Sequence, residues 1–304
     1  MPGKIILFIA SEKGYTAFSA VVMQNYAHKI GAVVTFKETD VAKSWDNDIR
    51  EECIHSKIPF YFWADIKNNM FAVMQEHDCK YAVTISWKYL LPVEINKYLK
   101  YPPIVFHDSL LPKYRGFSPT PTAIMCGETE IGVTAIFANE QVDQGEILVQ
   151  KSVYIPKTMY IEDIISKQSA LCADMLIEII QKIEVDALTG VPQNEDDATY
   201  SIWRNIEDCH IDWNKSAKEI YDFVRAVGSP YPGAFTFLNG EKIYIKRTEI
   251  AEDLKFIIRD CGKIWRIADN QPEVICGKGI LRIVSAAYED GEGVAFHRVR
   301  CRLK

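Results

Sequence analysis

The chain has 304 residues, room for one large domain and a smaller one, with 48% hydrophobic and 25% charged residues, an ordinary globular balance. Its net charge of −6 argues against a general nucleic-acid binder, which shows a basic excess. No apolar run approaches the length of a membrane span, and Met1-Pro2-Gly3-Lys4 lacks the hydrophobic segment of a signal peptide, so the expectation is a cytoplasmic protein with no membrane partner.

Ile5 to Ala10 is a continuous apolar run, the pattern of a strand buried on both faces. Ser11 to Tyr15 reads as a turn, followed by a helix reaching about Ile30 and closed by Gly31. Ala32 to Phe36 is a second strand. This opening belongs to a doubly wound sheet, but its first turn has no G-x-G-x-x-G, so a nicotinamide cofactor is disfavoured. Helices are expected over Ile49–His55 and Met70–Glu76, a strand over Tyr81–Ile85, a loop over Ser86–Leu91, and a short helix from Pro92 to Tyr98. The strand Ile104–His107 comes next. After it are expected a helix over Thr120–Met125 and strands over Gly132–Ala138 and Ile147–Ile155, the strands joined by a polar loop. Apolar residues from Ile161 to Ile183, spaced by three, four and seven, mark a long helix with one core face. Pro192 to Thr199 is polar and acidic, suiting a linker. Beyond it, Asn214 can cap a helix from Lys215 to Val227, and short β-like pieces near 235–237, 242–246, 262–267, 273–276 and 279–284 suggest a small barrel or sandwich.

The fold class is therefore α/β: a doubly wound, Rossmann-like domain over residues 1–202 and a smaller, mostly β, OB-like domain over 203–304. Tyr200–Lys304 carries 17 Lys+Arg against 15 Asp+Glu, so the first 199 residues hold −8 of the charge. The eight cysteines are scattered through apolar segments with no C-x-x-C pair. They read as reduced buried thiols, and their spacing argues against structural zinc.

The chemistry centres on the strand ending at His107. A histidine at the carboxyl end of such a strand sits where open α/β sheets place their sites, and its ordinary pKa of about 6.5 lets it hold or release a proton near neutrality. His107-Asp108-Ser109-Leu110-Leu111-Pro112-Lys113-Tyr114-Arg115-Gly116 closely resembles the H-x-S-L-L-P-x-x-R-G signature of N10-formyltetrahydrofolate-dependent formyltransferases. Gly127–Thr134 is similar to that family's G-E-x-x-x-G-V-T, and Val142–Ile147 to its D-x-G-x-I turn, in the same order and spacing. Ala198-Thr199-Tyr200, Ile211-Asp212-Trp213 and Tyr231–Ala234 resemble the second domain of methionyl-tRNA and sugar N-formyltransferases. The wording around His107 looks most like the sugar branch.

The resemblance implies formyl transfer from N10-formyltetrahydrofolate to the primary amine of a nucleotide-linked amino sugar. Methionyl-tRNA formyltransferase is one alternative and a non-catalytic folate or nucleotide-sugar binder another. It implies His107 and Asp143 as the catalytic pair. It maps the pterin slot onto Ser86, Trp87, Lys88, Tyr89, Leu90, Leu110, Asn139, Gln141 and Val142. Substrate contacts are expected at Ser11, Lys13 and Gly14 on the first strand's rim, at Lys113, Arg115 and Gly116 after the catalytic strand, and at Tyr200 and Arg204. No metal cluster is read, and a homodimer through the small domain is one expectation for the assembly. One departure matters: the family asparagine two residues before the histidine is Val105 here. Another donor, such as Ser86, Thr134 or Asn139, is then needed for the developing oxyanion.

Overall fold

The computed structural model describes residues 3–39 and 41–304. Its backbone divides into two compact units. The first takes the chain through Pro119, Glu130–Ile155 and Asp163–Ile202; the second takes Thr120–Thr129, Pro156–Glu162 and Trp203–Lys304.

The first unit is built on a seven-stranded sheet. Its strands are β1 (Lys4–Ile9), β2 (Ile30–Thr35), β3 (Phe60–Phe62), β4 (Cys79–Ile85), β5 (Ile104–His107), β7 (Glu130–Phe137) and β8 (Ile147–Tyr154), in the order β3-β2-β1-β4-β5-β7-β8. β1 to β5 run parallel, and β7 and β8 are antiparallel. The short strand β6 (Arg115–Gly116) pairs in parallel with β9 (Tyr200–Ser201), outside the main sheet.

Alternation along the strands divides the core in two. Ile5, Leu7, Ile9, Val83, Ile104 and Phe106 join the cluster that includes Phe18 and the α6 residues Cys172, Met175 and Leu176. Ile6, Phe8, Val34 and Ala82 join Met70, Met74 and Ile95 in a second cluster. The helices are α1 (Ser11–Met23), α2 (Asp46–Ser56), α3 (Trp63–Ile66), α4 (Met70–Glu76), α5 (Pro119–Met125) and the long α6 (Ile161–Glu184). Val93–Lys97 forms a 3-10 turn.

Two expectations at the N-terminus are corrected. No turn separates β1 from α1, because the helix starts at Ser11 with a left-handed φ of 59°. A Cβ on Gly14 would lie 2.8 Å from Ile9 Cβ, so glycine lets the helix press on the end of its own strand. α1 also ends early, at Met23, and Gly31 lies within β2, where a Cβ would meet Cys79 Sγ at 2.6 Å.

The second unit carries helix α7 (Ala217–Val227) and a five-stranded antiparallel sheet of β10 (Ala234–Leu238), β11 (Glu241–Ala251), β12 (Ile264–Ala268), β13 (Gln271–Ile275) and β14 (Ile280–Ala287). The strand order is β10-β11-β14-β13-β12. Ser216, not Asn214, caps α7: its hydroxyl accepts from Glu219 N at 3.2 Å while Glu219 Oε2 accepts from Ser216 N at 2.9 Å. Arg225, fully buried, ties the two early segments into this unit. It donates to Asp222 Oδ1 at 2.9 Å, to Met159 O at 3.1 Å and to Ile124 O at 3.3 Å.

All eight cysteines are free thiols. Burial pushes Cys53, Cys79 and Cys276 up to about 12, which keeps them protonated and unreactive.

Candidate active site

The sheet order reverses between β1 and β4, and open α/β sheets bind ligands outside the carboxyl ends of strands at such a switch point. Ser11 follows β1 and Ser86 follows β4; Ser11 Oγ donates to Ser86 Oγ at 2.8 Å. Glu38 closes the same rim, accepting from Ser11 N at 3.1 Å, and burial raises its carboxyl above the ordinary range. His107 ends β5, one strand further along.

His107 is buried, at 7% exposure. Its Nε2 lies 2.8 Å from the Tyr114 carbonyl, which can only accept, so Nε2 carries a hydrogen. Nδ1 is then the ring's remaining proton site. It faces Asp143 Oδ2 at 3.5 Å, longer than a formed hydrogen bond but within reach of one that tightens on binding. Asp143 Oδ2 also accepts from Gly116 N at 2.8 Å. The imidazole and carboxylate, 36 positions apart in the chain, thus meet on one rim of the sheet. The pair can take a proton at Nδ1 and return it.

Ser11, Ser86, Tyr114, Ser118 and Asp143, on the strand-end loops, are non-glycine residues at positive φ. Such conformations cost energy and persist where the surroundings overdetermine them, often at functional sites. The Leu110-Leu111-Pro112 turn is fastened by Thr134, whose hydroxyl donates to Ser109 O at 2.6 Å and accepts from Leu111 N at 3.1 Å. Thr134, fully buried and so committed, is thereby removed as an oxyanion donor. Asn139 Oδ1 accepts from Gln141 N at 3.0 Å within its own loop. Ser86 Oγ and Ser11 Oγ share one hydrogen bond, which uses one of their two hydroxyl hydrogens and leaves the other to give.

A cavity of about 520 Å³, within the size range of small-molecule sites, opens beyond β2, β3 and β4. Phe36, Phe62, Trp63 and Tyr89 line it with Lys37 and Lys67. Trp87 is the hub of this ring cluster, in edge contact with Phe8, Phe36, Trp63 and Tyr89, and its Nε1 is a buried donor without a partner among the described residues. The Lys88 ammonium lies over Phe36 and Tyr89, 4.5 and 5.5 Å from the ring centres. Leu90, Asn139, Gln141 and Val142 are exposed, and Leu110 is half-buried. Flat aromatic walls with Lys37, Lys67 and Asp65 fit a ligand with a planar heteroaromatic head and polar edges.

Several of the expected substrate contacts have structural partners of their own. Arg115 is fully buried: its guanidinium donates to Glu195 at 2.7 and 2.8 Å and to Gln193 Oε1 at 2.8 and 3.1 Å, so it anchors its own loop. These hydrogen bonds hold the Glu195 carboxyl below the usual range. Lys13 is buried and paired with Asp108 at 2.5 Å, and Gly14 is buried under the strand end. Lys113 and Tyr200 are exposed beside the loop. Arg204 falls in the second unit.

Gly116 is structural. At φ 98°, a Cβ there would sit 2.4 Å from Ser201 O. Gly116→Ala should destabilise by more than about 1 kcal/mol and reduce turnover, since the β6–β9 pairing must open. Thermal unfolding and kcat check this; parent values in both contradict it. Pro192–Thr199 is not a passive linker either, because Gln193 and Glu195 hold Arg115, and Thr199 accepts from Arg115 N at 2.9 Å. Sequence reasoning missed Gln193 and Glu195; their polarity was visible, but polarity alone does not separate a clamp from a linker.

A Rossmann-like unit with a histidine–aspartate pair at its rim, and a small β unit after it in the chain, is an α/β architecture with a candidate acid–base site. Residues 4–180 match the formyl transferase family model and residues 205–298 the formyl transferase C-terminal domain; the chain belongs to the formyl transferase family. It is a formyltransferase that uses 10-formyltetrahydrofolate as donor. Methionyl-tRNA formyltransferase of Ehrlichia canis (strain Jake) is 30% identical, over 91% of this chain and 89% of the relative. Among solved structures, WlaRD, a sugar 3N-formyl transferase crystallised with dTDP and 5-N-formyl-THF, superposes with a TM-score of 0.66 at 18% identity, covering 98% of this chain and 100% of that one. HypX from Aquifex aeolicus in complex with tetrahydrofolic acid gives 0.65 at 17% identity; 97% of this chain matches 46% of that longer one.

Proposed function

We propose that the chain formylates the primary amine of a nucleotide-linked amino sugar, in the cytoplasm. The observation that carries this choice is electrostatic. Of the 17 Lys+Arg in Tyr200–Lys304, eight are answered by carboxylates within the second unit: Lys218, Arg225, Arg247, Arg259, Lys263, Arg266, Arg282 and Arg302. Neutralised cations contribute little to binding a polyanion such as tRNA, whose affinity rests on phosphate contacts.

His107, oriented by Asp143 and with that carboxylate's help, takes the amine's proton beside the formyl carbon and returns it to the departing folate nitrogen. Ser86, in a hydroxyl pair with one hydrogen to give, supplies the oxyanion donor that Val105 lacks. The aromatic cavity with Trp87, Lys88 and Tyr89, the Leu110 turn and the 139–142 loop hold the folate. Bound, that donor supplies the activated formyl group. Ser11, Lys113 and Tyr200 remain as contacts for the nucleotide sugar.

A second reading, methionyl-tRNA formyltransferase, is favoured by the name of the relative at 30% identity. The test supplies 10-formyltetrahydrofolate with either a panel of nucleotide-linked amino sugars or methionyl-tRNA. Formamide on a sugar supports the proposal. Formylation of methionyl-tRNA alone, at a rate falling steeply with salt, overturns it in favour of the second reading.

A further inference from the structure

We infer that Gln193 is a positioning residue that sets the Asp143 carboxylate against His107, braced by the buried Arg115, which the exposed Glu195 pairs from outside. This rests on the roles given above to His107 and Asp143.

Asp143 needs holding. Its φ of 58° is left-handed, a conformation side-chain-bearing residues rarely keep without external ties. The tie to its backbone is one side chain: Gln193 Nε2 donates to Asp143 O and to Gly145 O, both at 2.8 Å. The two amide hydrogens thus clasp the carbonyls on either side of Gln144. Gln193 Oε1 accepts from Arg115 Nε at 3.1 Å and Nη2 at 2.8 Å. A guanidinium only donates, so the oxygen must face Arg115 and the nitrogen must face the Asp143 loop; the amide cannot flip. Arg115 is itself fixed by two bonds to Glu195.

The same short strand works at the other end of the aspartate. Gly116 N holds Asp143 Oδ2 at 2.8 Å, and Tyr114 O holds His107 Nε2 at 2.8 Å. Three consecutive residues, Tyr114 to Gly116, therefore grip the imidazole directly, the carboxylate directly, and the carboxylate's backbone through Gln193. Removing Gln193 frees the backbone end only. The carboxylate then swings about Gly116 N, and its distance to Nδ1, already 3.5 Å, lengthens.

The experiment measures kcat and KM of the full-length protein with 10-formyltetrahydrofolate and the acceptor found by the panel above. It compares the parent, Gln193→Ala, Gln193→Glu, Asp143→Ala and Gln193→Ala/Asp143→Ala. Gln193→Ala is expected to lower kcat by about 10- to 100-fold, the scale of an ångström of misplacement, with both KM values within about threefold. Gln193→Glu keeps the volume and the Arg115 contacts but, ionised, has no hydrogen for the two carbonyls, so it should lose kcat comparably. On the Asp143→Ala background, Gln193→Ala should change kcat by less than about twofold, because a residue acting through the carboxylate has nothing left to position. A crystal structure of Gln193→Ala should show the Asp143 carboxylate still on Gly116 N but farther from His107 Nδ1, with β6 and β9 still paired.

Parent-like kcat in Gln193→Glu, or a Gln193→Ala loss that multiplies fully with Asp143→Ala, overturns the inference alone. Parent-like kcat in Asp143→Ala removes the catalytic reading of that carboxylate, and the inference with it.

Discussion

His107→Ala is expected to lower turnover by about 10²-fold or more while leaving 10-formyltetrahydrofolate affinity within a few-fold of the parent. In formyl transfer the attacking amine must lose a proton and the departing folate nitrogen must gain one. Among the described residues, His107 is the imidazole at the end of β5, with Nε2 bonded to Tyr114 O and Nδ1 facing Asp143. Its removal deletes the proton carrier. The expected folate walls, the cavity rings at Phe36, Phe62, Trp63 and Tyr89, lie beyond β2, β3 and β4, whereas His107 ends β5. Steady-state kinetics beside titration with 5-formyltetrahydrofolate separates the two effects. Unchanged turnover would falsify the role given to His107, and lost folate binding would make the residue a ligand wall instead.

Asp222→Ala should produce the largest loss of stability, about 3–5 kcal/mol in the second unit. Asp222 and Arg225 are both buried, and the carboxylate is the sole anion on that guanidinium among the described residues. Removing it leaves a buried cation facing only the carbonyls of Ile124 and Met159. The magnitude comes from that stranded charge rather than from the intrinsic strength of the pair. Lys218 Nζ also reaches Asp222, at 2.6 Å, but is exposed, so Lys218→Ala should cost less than about 1 kcal/mol. Urea unfolding with hydrogen exchange in α7 reads both variants, and equal losses in the two would contradict the account.

The fold was largely written in local patterns. The all-apolar run at Ile5–Ile9 and the three-four spacing over Ile161–Ile183 each admit one reading, and both elements formed there. Boundaries set by tertiary contact were not legible. Ser11 begins a helix because Gly14 can lie against Ile9, a fact about packing. β3 is three residues long and shows no alternation that a sequence pattern could catch. At the site, the motif around His107 drew attention to the right stretch but treated its two cations alike. Lys113 is exposed and Arg115 is sealed inside, and what decides between them is the arrival of Gln193 and Glu195 about 80 residues later.

The pairing of β6 with β9 also bears on where the molecule can be cut. The N-terminal family match stops at residue 180, after every strand of the seven-stranded sheet has been laid down. A fragment ending there keeps the scaffold and both reactive side chains, yet discards Gln193, Thr199 and Ser201. A minimal active fragment is therefore expected to run past Ser201, since a cut at 180 also shortens α6 and removes Ile183 and Leu188 from the core.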